Sequence, residues 1–249
     1  MDLYLEGKRA LVTGASKGIG AAVAETLAAE GCDLHLAARN GEALENHARN
    51  LRENHGVAVT THAVDLRVTA DLEKLAGAAG DADILVNNAG DIPAGTLDDV
   101  GPDLWRHAWD LKVFGYIDLV RLVYPRLRTR GHGVIVNVIG SGGERPTAGY
   151  IAGGAGNAAL MAFTKALGGE GPRHGVRVVG VNPGPVATER VTTMRAANAD
   201  VDASFASLPS GRIAETREVA DLVAFLASER AGYISGTIVT IDGGMTAAR

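Results

Sequence analysis

The chain has 249 residues, 46% apolar and 21% charged, with 24 basic against 29 acidic side chains and a net charge of −5. This balance fits an ordinary globular chain of one large domain or two small ones, and it argues against a nucleic-acid partner, which calls for a basic face. No run of 18 apolar residues offers a membrane span, the opening MDLYLEGKRA lacks the apolar stretch of a signal peptide, and one cysteine, Cys32, excludes an intrachain disulfide, so a cytoplasmic protein with no membrane partner is expected.

The first apolar run, RALVT (9–13), reads as a strand, and VTGASKGIG (12–20) leads from it into a helix where Ile19, Val23 and Leu27 recur every four residues. DLHLAA (33–38), VAVTTHAV (57–64) and DILVN (83–87) read as further strands. The long segment 103–128, DLWRHAWDLKVFGYIDLVRLVYPRLR, reads as one helix. GVIVNVI (133–139) is a fifth strand, followed by a turn and a helix carrying Gly149, Gly153, Gly154 and Gly156 close together. Interior glycine weakens a helix by up to about 1 kcal/mol relative to alanine, so this clustering asks for a reason. VRVVGV (176–181) and TIVTI (237–241) complete seven strands, with a helix over 215–228 that carries Glu215 and Glu218 in its first turn. Residues 188–211 are the least regular and are a candidate substrate lid.

Strands that are continuously apolar are covered on both faces, and strand–helix alternation along the whole chain predicts a parallel sheet with helices on both sides. No linker or repeat interrupts it, so one α/β domain over 1–249 is expected. The seven histidines form no pair at helical ligand spacing beside a carboxylate, and no catalytic metal is expected.

Gly14, Gly18 and Gly20 let the backbone turn tightly after the first strand, so that N–H groups at the helix start face a pyrophosphate. Four more motifs follow in order: Asp65–Leu66, NNAG (87–90), NPGPVAT (182–188) and SGTIVTIDGG (235–244). Together with TGASKGIG they resemble the short-chain dehydrogenase/reductase family over nearly the whole chain. The resemblance implies a doubly wound, Rossmann-type fold and a nicotinamide dinucleotide held by Gly14, Ser16, Lys17, Gly18, Ile19, Gly20, Asp65, Leu66, Asn88, Ala89, Gly90, Pro183, Gly184, Val186 and Thr188. It also implies a homotetramer or homodimer. At the end of the second strand, where a carboxylate would take the ribose 2′-hydroxyl of NAD, stands Ala38, and Arg39 follows. Arg39 can fork onto a 2′-phosphate and Lys17 can add a second charge, so NADP(H) is the expected cofactor.

Members of that family move a proton with a Ser–Tyr–Lys set supported by an Asn, the tyrosine and lysine spaced Tyr-x-x-x-Lys. Anchored on IVNV (135–138) and FTK (163–165), the serine position falls on Gly140, the tyrosine on Gly153 and the lysine on Asn157; the asparagine position falls on Lys112. The chain therefore resembles an atypical member. One reading moves the chemistry: Tyr150 stands one turn earlier, as in the Tyr-x6-Lys spacing of enoyl-thioester reductases, Ser141 follows the serine position, and Lys112 and Asn157 have exchanged places. This gives an oxidoreductase acting on a carbonyl or an activated C=C, with Tyr150, Lys112 and Ser141 as candidate catalytic residues. A second reading is a catalytically silent NADP(H)-binding sensor or partner subunit, and a third is C=C reduction with a proton from water or Lys112. Gly153 in place of a tyrosine predicts added room beside the nicotinamide, and the neighbouring glycines predict close helix contact at the subunit interface that the resemblance implies for this helix.

Overall fold

The computed structural model describes residues 1–189, 191–192 and 205–248. Seven parallel strands form one sheet in the order β3-β2-β1-β4-β5-β6-β7: β1 (Arg9–Thr13), β2 (Asp33–Ala38), β3 (Val59–Ala63), β4 (Ile84–Asn87), β5 (Gly133–Val138), β6 (Val176–Pro183) and β7 (Ile238–Ile241). β1 and β2 have the bounds read from the sequence. β3, β4, β5 and β7 are one to three residues shorter than read, and β6 runs two residues longer. β1 and β4 are neighbours, with Val12 opposite Val86, so the strand order reverses between them and opens a crevice at the carboxyl edge of the sheet.

Helices α1 (Gly18–Ala29), α2 (Gly41–His55) and α7 (Thr216–Ala227) cover one face, and α3 (Thr69–Ala78), α5 (Gly115–Arg130) and α6 (Ile151–Glu170) the other. Val23 and Leu27 of α1 are buried with Leu34, Leu36 and Val223, as their spacing predicts, and Cys32 lies in the same core, where burial pushes its thiol up to about 12. Fully burying one such aliphatic side chain contributes about 1.5–3 kcal/mol, which fixes the layers around the sheet.

Two expectations are corrected. The segment 103–128 is not one helix: α4 (Pro102–Trp109) opens into a π-helical turn (Asp110–Phe114) before α5 resumes at Gly115. The wider turn accommodates an extra residue, which the uniform apolar pattern of the segment conceals. Glu215 is not inside the first turn of α7 but caps it, exchanging side-chain-to-backbone hydrogen bonds with Glu218. Of the expected lid over 188–211, residues 190 and 193–204 lie outside the described set. Among the described residues no helix is long and apolar enough to cross a membrane.

Candidate active site

The carboxyl ends of β1, β2, β3, β4 and β6 carry the expected cofactor-binding residues. Gly14 takes the left-handed conformation, φ 65°, and a Cβ there would stand 2.9 Å from the Ala89 Cα. A Cβ on Gly20 would stand 2.3 Å from the Gly14 carbonyl oxygen, so only glycine lets α1 close onto its own loop. Asn88 fastens the loop to β4: its amide Nδ2 donates to the Thr13 carbonyl at 3.0 Å, while Thr13 Oγ1 accepts from the backbone N–H of Asn88 at 2.9 Å and of Ala89 at 3.2 Å. Gly18, φ 58°, has, among the described residues, only the Thr188 side chain within 4 Å of its Cβ direction. That open wall beside the first turn of α1 fits a pyrophosphate. Ser16 and Ile19 flank it, half-buried.

Across the crevice, Pro183 ends β6, and Gly184 lies so close to Asp242 that a Cβ would stand 2.8 Å from the Asp242 Cβ. Val186 is buried and bridges to Ala214. Thr188 meets Gly18, and Lys17 pairs with Glu189 at 2.5 Å, so the glycine loop and the segment after β6 touch at two points. Lys17 thus already has a carboxylate partner, a contact the sequence did not suggest. Arg39 is exposed at the end of β2. Asp65 accepts from Arg67 Nε at 2.8 Å, and this hydrogen bond holds its carboxyl down at about 2. Leu66 beside it is buried.

Three expected catalytic side chains come together at one place, the stretch Ile139–Gly142 beyond β5. Lys112, in the π-helical turn, donates from its ammonium to the Ile139 carbonyl. Its stem crosses Gly90, where a Cβ would stand 2.8 Å from Lys112 Cδ, so the glycine of NNAG gives the lysine passage. Ser141 is buried at the start of a short 3-10 turn (Ser141–Gly143). Tyr150 caps α6, and its ring lies between Gly142 and Gly153: Cβ atoms there would stand 3.2 Å and 2.0 Å from ring carbons. The added room expected at Gly153 is therefore absent, because the Tyr150 phenyl fills it. Gly156 packs within the chain, where Trp109 and Val113 side-chain atoms stand 3.2 Å and 3.1 Å from its Cβ direction.

The frame behind these groups is buried and polar. Asn87 Nδ2 donates to Asn137 Oδ1 at 3.0 Å, Asn137 Nδ2 to Thr164 Oγ1 at 2.9 Å, and Thr164 to the Leu160 carbonyl at 2.7 Å, tying β4 and β5 to α6. Asn182 Oδ1 accepts from the Gly140 N–H at 3.3 Å, and its amide donates to Glu144 at 2.8 Å, which braces the loop from the β6 side. Tyr116, fully buried and bonded to the Val138 carbonyl at 3.0 Å, has its phenol pushed far up by burial. Asn157, which sequence reading named only as an exchanged position, is 2% exposed, and its Oδ1 has no hydrogen-bond partner among the described residues. A buried acceptor left so costs about 1–3 kcal/mol. Asn157 Nδ2 lies 3.0 Å from the Cβ direction of Gly140 and 3.7 Å from that of Gly142.

The model of a family described as enoyl-(acyl carrier protein) reductase matches residues 14–246. The chain is 36% identical over 248 residues to the 3-oxoacyl-(acyl-carrier-protein) reductase FabG of Escherichia coli (strain K12), covering 98% of this chain and 99% of that protein. Among solved structures it resembles L-sorbose reductase from Gluconobacter frateurii, complexed with NADPH and L-sorbose, with a TM-score of 0.93, 34% identity and full coverage of both chains. It also resembles a single-residue variant of actinorhodin polyketide ketoreductase with NADPH, at a TM-score of 0.92 and 31% identity over 97% of this chain and 98% of that one. The chain belongs to the short-chain dehydrogenase/reductase family. It is an oxidoreductase that uses a nicotinamide cofactor.

Proposed function

We propose that the chain is an NADP(H)-dependent reductase of a ketone carbonyl, with a 3-oxoacyl thioester as the first substrate class to test. The observation that carries this reading is the convergence of Tyr150, Lys112 and Ser141 on Ile139–Gly142, at the same sheet edge as the glycine loop. The similarity to a 3-oxoacyl carrier-protein reductase and to a polyketide ketoreductase supports the substrate class. Exposed Arg39 beside Ala38 supports the 2′-phosphate form of the cofactor, as does the NADPH in two similar structures.

Bound NADPH supplies the hydride. Gly14, Gly18 and the first turn of α1 hold its pyrophosphate, and Arg39 its 2′-phosphate. Ser141 orients the substrate oxygen, Tyr150 gives that oxygen a proton, and Lys112 stabilises the phenolate left behind by its positive charge. The enzyme works in the cytoplasm as a homo-oligomer on this reading.

Following NADPH absorbance with acetoacetyl-CoA tests the proposal, with NADH and crotonyl-CoA as comparisons. Turnover with NADPH on the ketone is expected, at least tenfold above NADH. Turnover on crotonyl-CoA alone would replace carbonyl reduction by C=C reduction. Lys112→Met is expected to abolish turnover while sparing NADPH binding, and undiminished turnover would remove Lys112 from the mechanism.

A further inference from the structure

The amino ends of the strands, opposite the cofactor crevice, enclose a cavity of about 340 Å³. Small-molecule pockets run from about 300 to 1,000 Å³, so this is room for a small ligand. Ile84, Val134 and Arg177 stand side by side in register across β4, β5 and β6, and all three line it. Ile84 and Val134 pack on the face covered by α1 and α7, so Arg177, next in register, projects from that face too. The floor is therefore two aliphatic side chains ending at a guanidinium. Arg177 is half-buried; its Nη1 donates to the Leu226 and Ile234 carbonyls at 2.9 Å and 3.2 Å, and its Nη2 to the Ser228 carbonyl at 2.9 Å. These bonds fix the fork, yet they leave a donor on Nε and one on Nη2, along one edge, without an acceptor among the described residues. The other charges around the cavity are matched: Lys8 faces Glu229 at 3.6 Å, and His132 faces Asp83 at 3.7 Å. Among the described residues no carboxylate pairs with Arg177, although burial disfavours its charge. The outer wall is the start of the chain. Tyr4 holds φ 56°, a left-handed conformation that a non-glycine residue keeps only where its surroundings over-determine it. Arg230 does this: its guanidinium lies 4.6 Å from the centre of the Tyr4 ring, its Nη2 donates to the Tyr4 hydroxyl at 3.0 Å, and its Nε to the Asp2 carbonyl at 2.8 Å.

We infer that this cavity is a second ligand site, which takes a small monocarboxylate with a short aliphatic body. The carboxylate meets the open Nε and Nη2 edge of Arg177 in a two-point ion pair, the geometry in which a planar guanidinium surpasses an ammonium. The body lies over Ile84 and Val134, and the strap at Tyr4 closes the outer side. An inorganic oxyanion would use the edge but leave the aliphatic floor uncovered. The site lies at the opposite end of the strands from Ile139–Gly142, so it stands independently of the reaction proposed above.

The test reads the open donor directly. The full chain, labelled with ¹⁵N and saturated with NADP⁺, is titrated with hexanoate, and the Arg177 Nε–H signal, assigned through its own backbone, is followed by NMR. Hexanoate is expected to move that signal to a saturating limit in the millimolar range. Hexanamide, neutral and of the same shape, should need at least about tenfold more, because hydrogen bonds to an ionised group are roughly twice as strong as neutral ones. Val134→Phe grows into the cavity without touching the carbonyls that Arg177 holds, and it should weaken hexanoate at least about tenfold by filling the floor. If Val134→Phe does not fold, Val134→Thr keeps the shape, makes the floor polar and should weaken hexanoate about threefold. An unmoved Arg177 signal, equal affinity for hexanamide, or undiminished affinity in the Val134 variant overturns the inference. Inorganic phosphate bound as tightly as hexanoate would leave a bare anion contact and overturn it as well.

Discussion

The ring of Tyr150 lies over Gly153, three residues further along, so closely that a Cβ on Gly153 would stand 2.0 Å from Tyr150 Cζ. A helix that begins by folding its own capping side chain back over its first turn needs a residue without a side chain beneath. Gly142 provides the opposite wall at 3.2 Å. The two glycines form a slot, and the slot sets where the phenol points.

Gly153→Ala is therefore expected to behave unlike an ordinary helix substitution. Alanine would gain up to about 1 kcal/mol of helix propensity, but the added methyl must expel the ring, and overpacking of this kind costs about 1–3 kcal/mol. On the proposed mechanism, kcat should fall at least tenfold while NADPH affinity stays within about twofold. Steady-state kinetics beside cofactor fluorescence titration measures both. A variant with unchanged kcat would mean that the phenol does not need its slot.

The glycine loop carries a second expectation. Lys17 and Glu189 are both exposed, so their pair contributes at most about 1 kcal/mol. It nevertheless competes for the charge that NADPH would use. Glu189→Gln should tighten NADPH binding up to about fivefold, less as salt is added, and leave NADH unchanged. Arg39→Ala should weaken NADPH roughly 10–100-fold, the worth of a charge-assisted hydrogen bond, again without effect on NADH. Equal loss for both cofactors would place Arg39 away from the 2′-phosphate.

The sequence was readable where one residue type has one physical use. Continuously apolar runs such as ALV in β1 and ILV in β4 must be covered on both faces, and they gave the sheet with its strands nearly to the residue. Gly14 and Gly20 were legible because a turn after a strand and before a helix leaves few alternatives. The reason for Gly153 was not: a missing side chain reads as empty space, and only the fold shows Tyr150 turning back to fill it. The π-helical turn was hidden for a similar cause. Inserting a residue shifts which side chains share a face without changing the composition, so Lys112 could be named as a candidate while its approach over Gly90 could not. The Lys17–Glu189 contact joins residues 172 positions apart, which no local pattern records.

Acid should expose the tie between Asp65 and Arg67. The Arg67 hydrogen bond lowers the Asp65 carboxyl from 3.8 to about 2. A carboxyl depressed by folding adds stability that is present above its unfolded value near 3.8 and is lost as pH falls through the folded value near 2. Both side chains remain partly exposed, so the contribution is about 1 kcal/mol rather than the full shift. Arg67→Gln should accordingly unfold about 1 kcal/mol more easily in urea at pH 7, with the difference narrowing below pH 4 and vanishing near pH 2. A difference that persists at pH 2 would assign the loss to packing against His107 instead.

Two adjacent glycines near the end of α6 should respond with opposite signs. Gly168 is buried where α6 crosses the loop before β7: a Cβ would stand 2.4 Å from both the Gly236 nitrogen and the Val178 carbonyl oxygen. These are backbone atoms, and Gly236 itself holds a left-handed turn, φ 67°, so neither side can give way cheaply. Gly168→Ala should cost about 1–3 kcal/mol or more, lowering Tm by several degrees. Gly169 is exposed, with none of the described residues within 4 Å of its Cβ direction. There, alanine meets no obstacle and restricts the unfolded chain, so Gly169→Ala should add about 0.5 kcal/mol, or 1–2 °C in Tm. Thermal melts of the two single variants decide the matter. Equal and small changes would mean that α6 can shift away from Gly236, and the close approach would then not be what keeps glycine at 168.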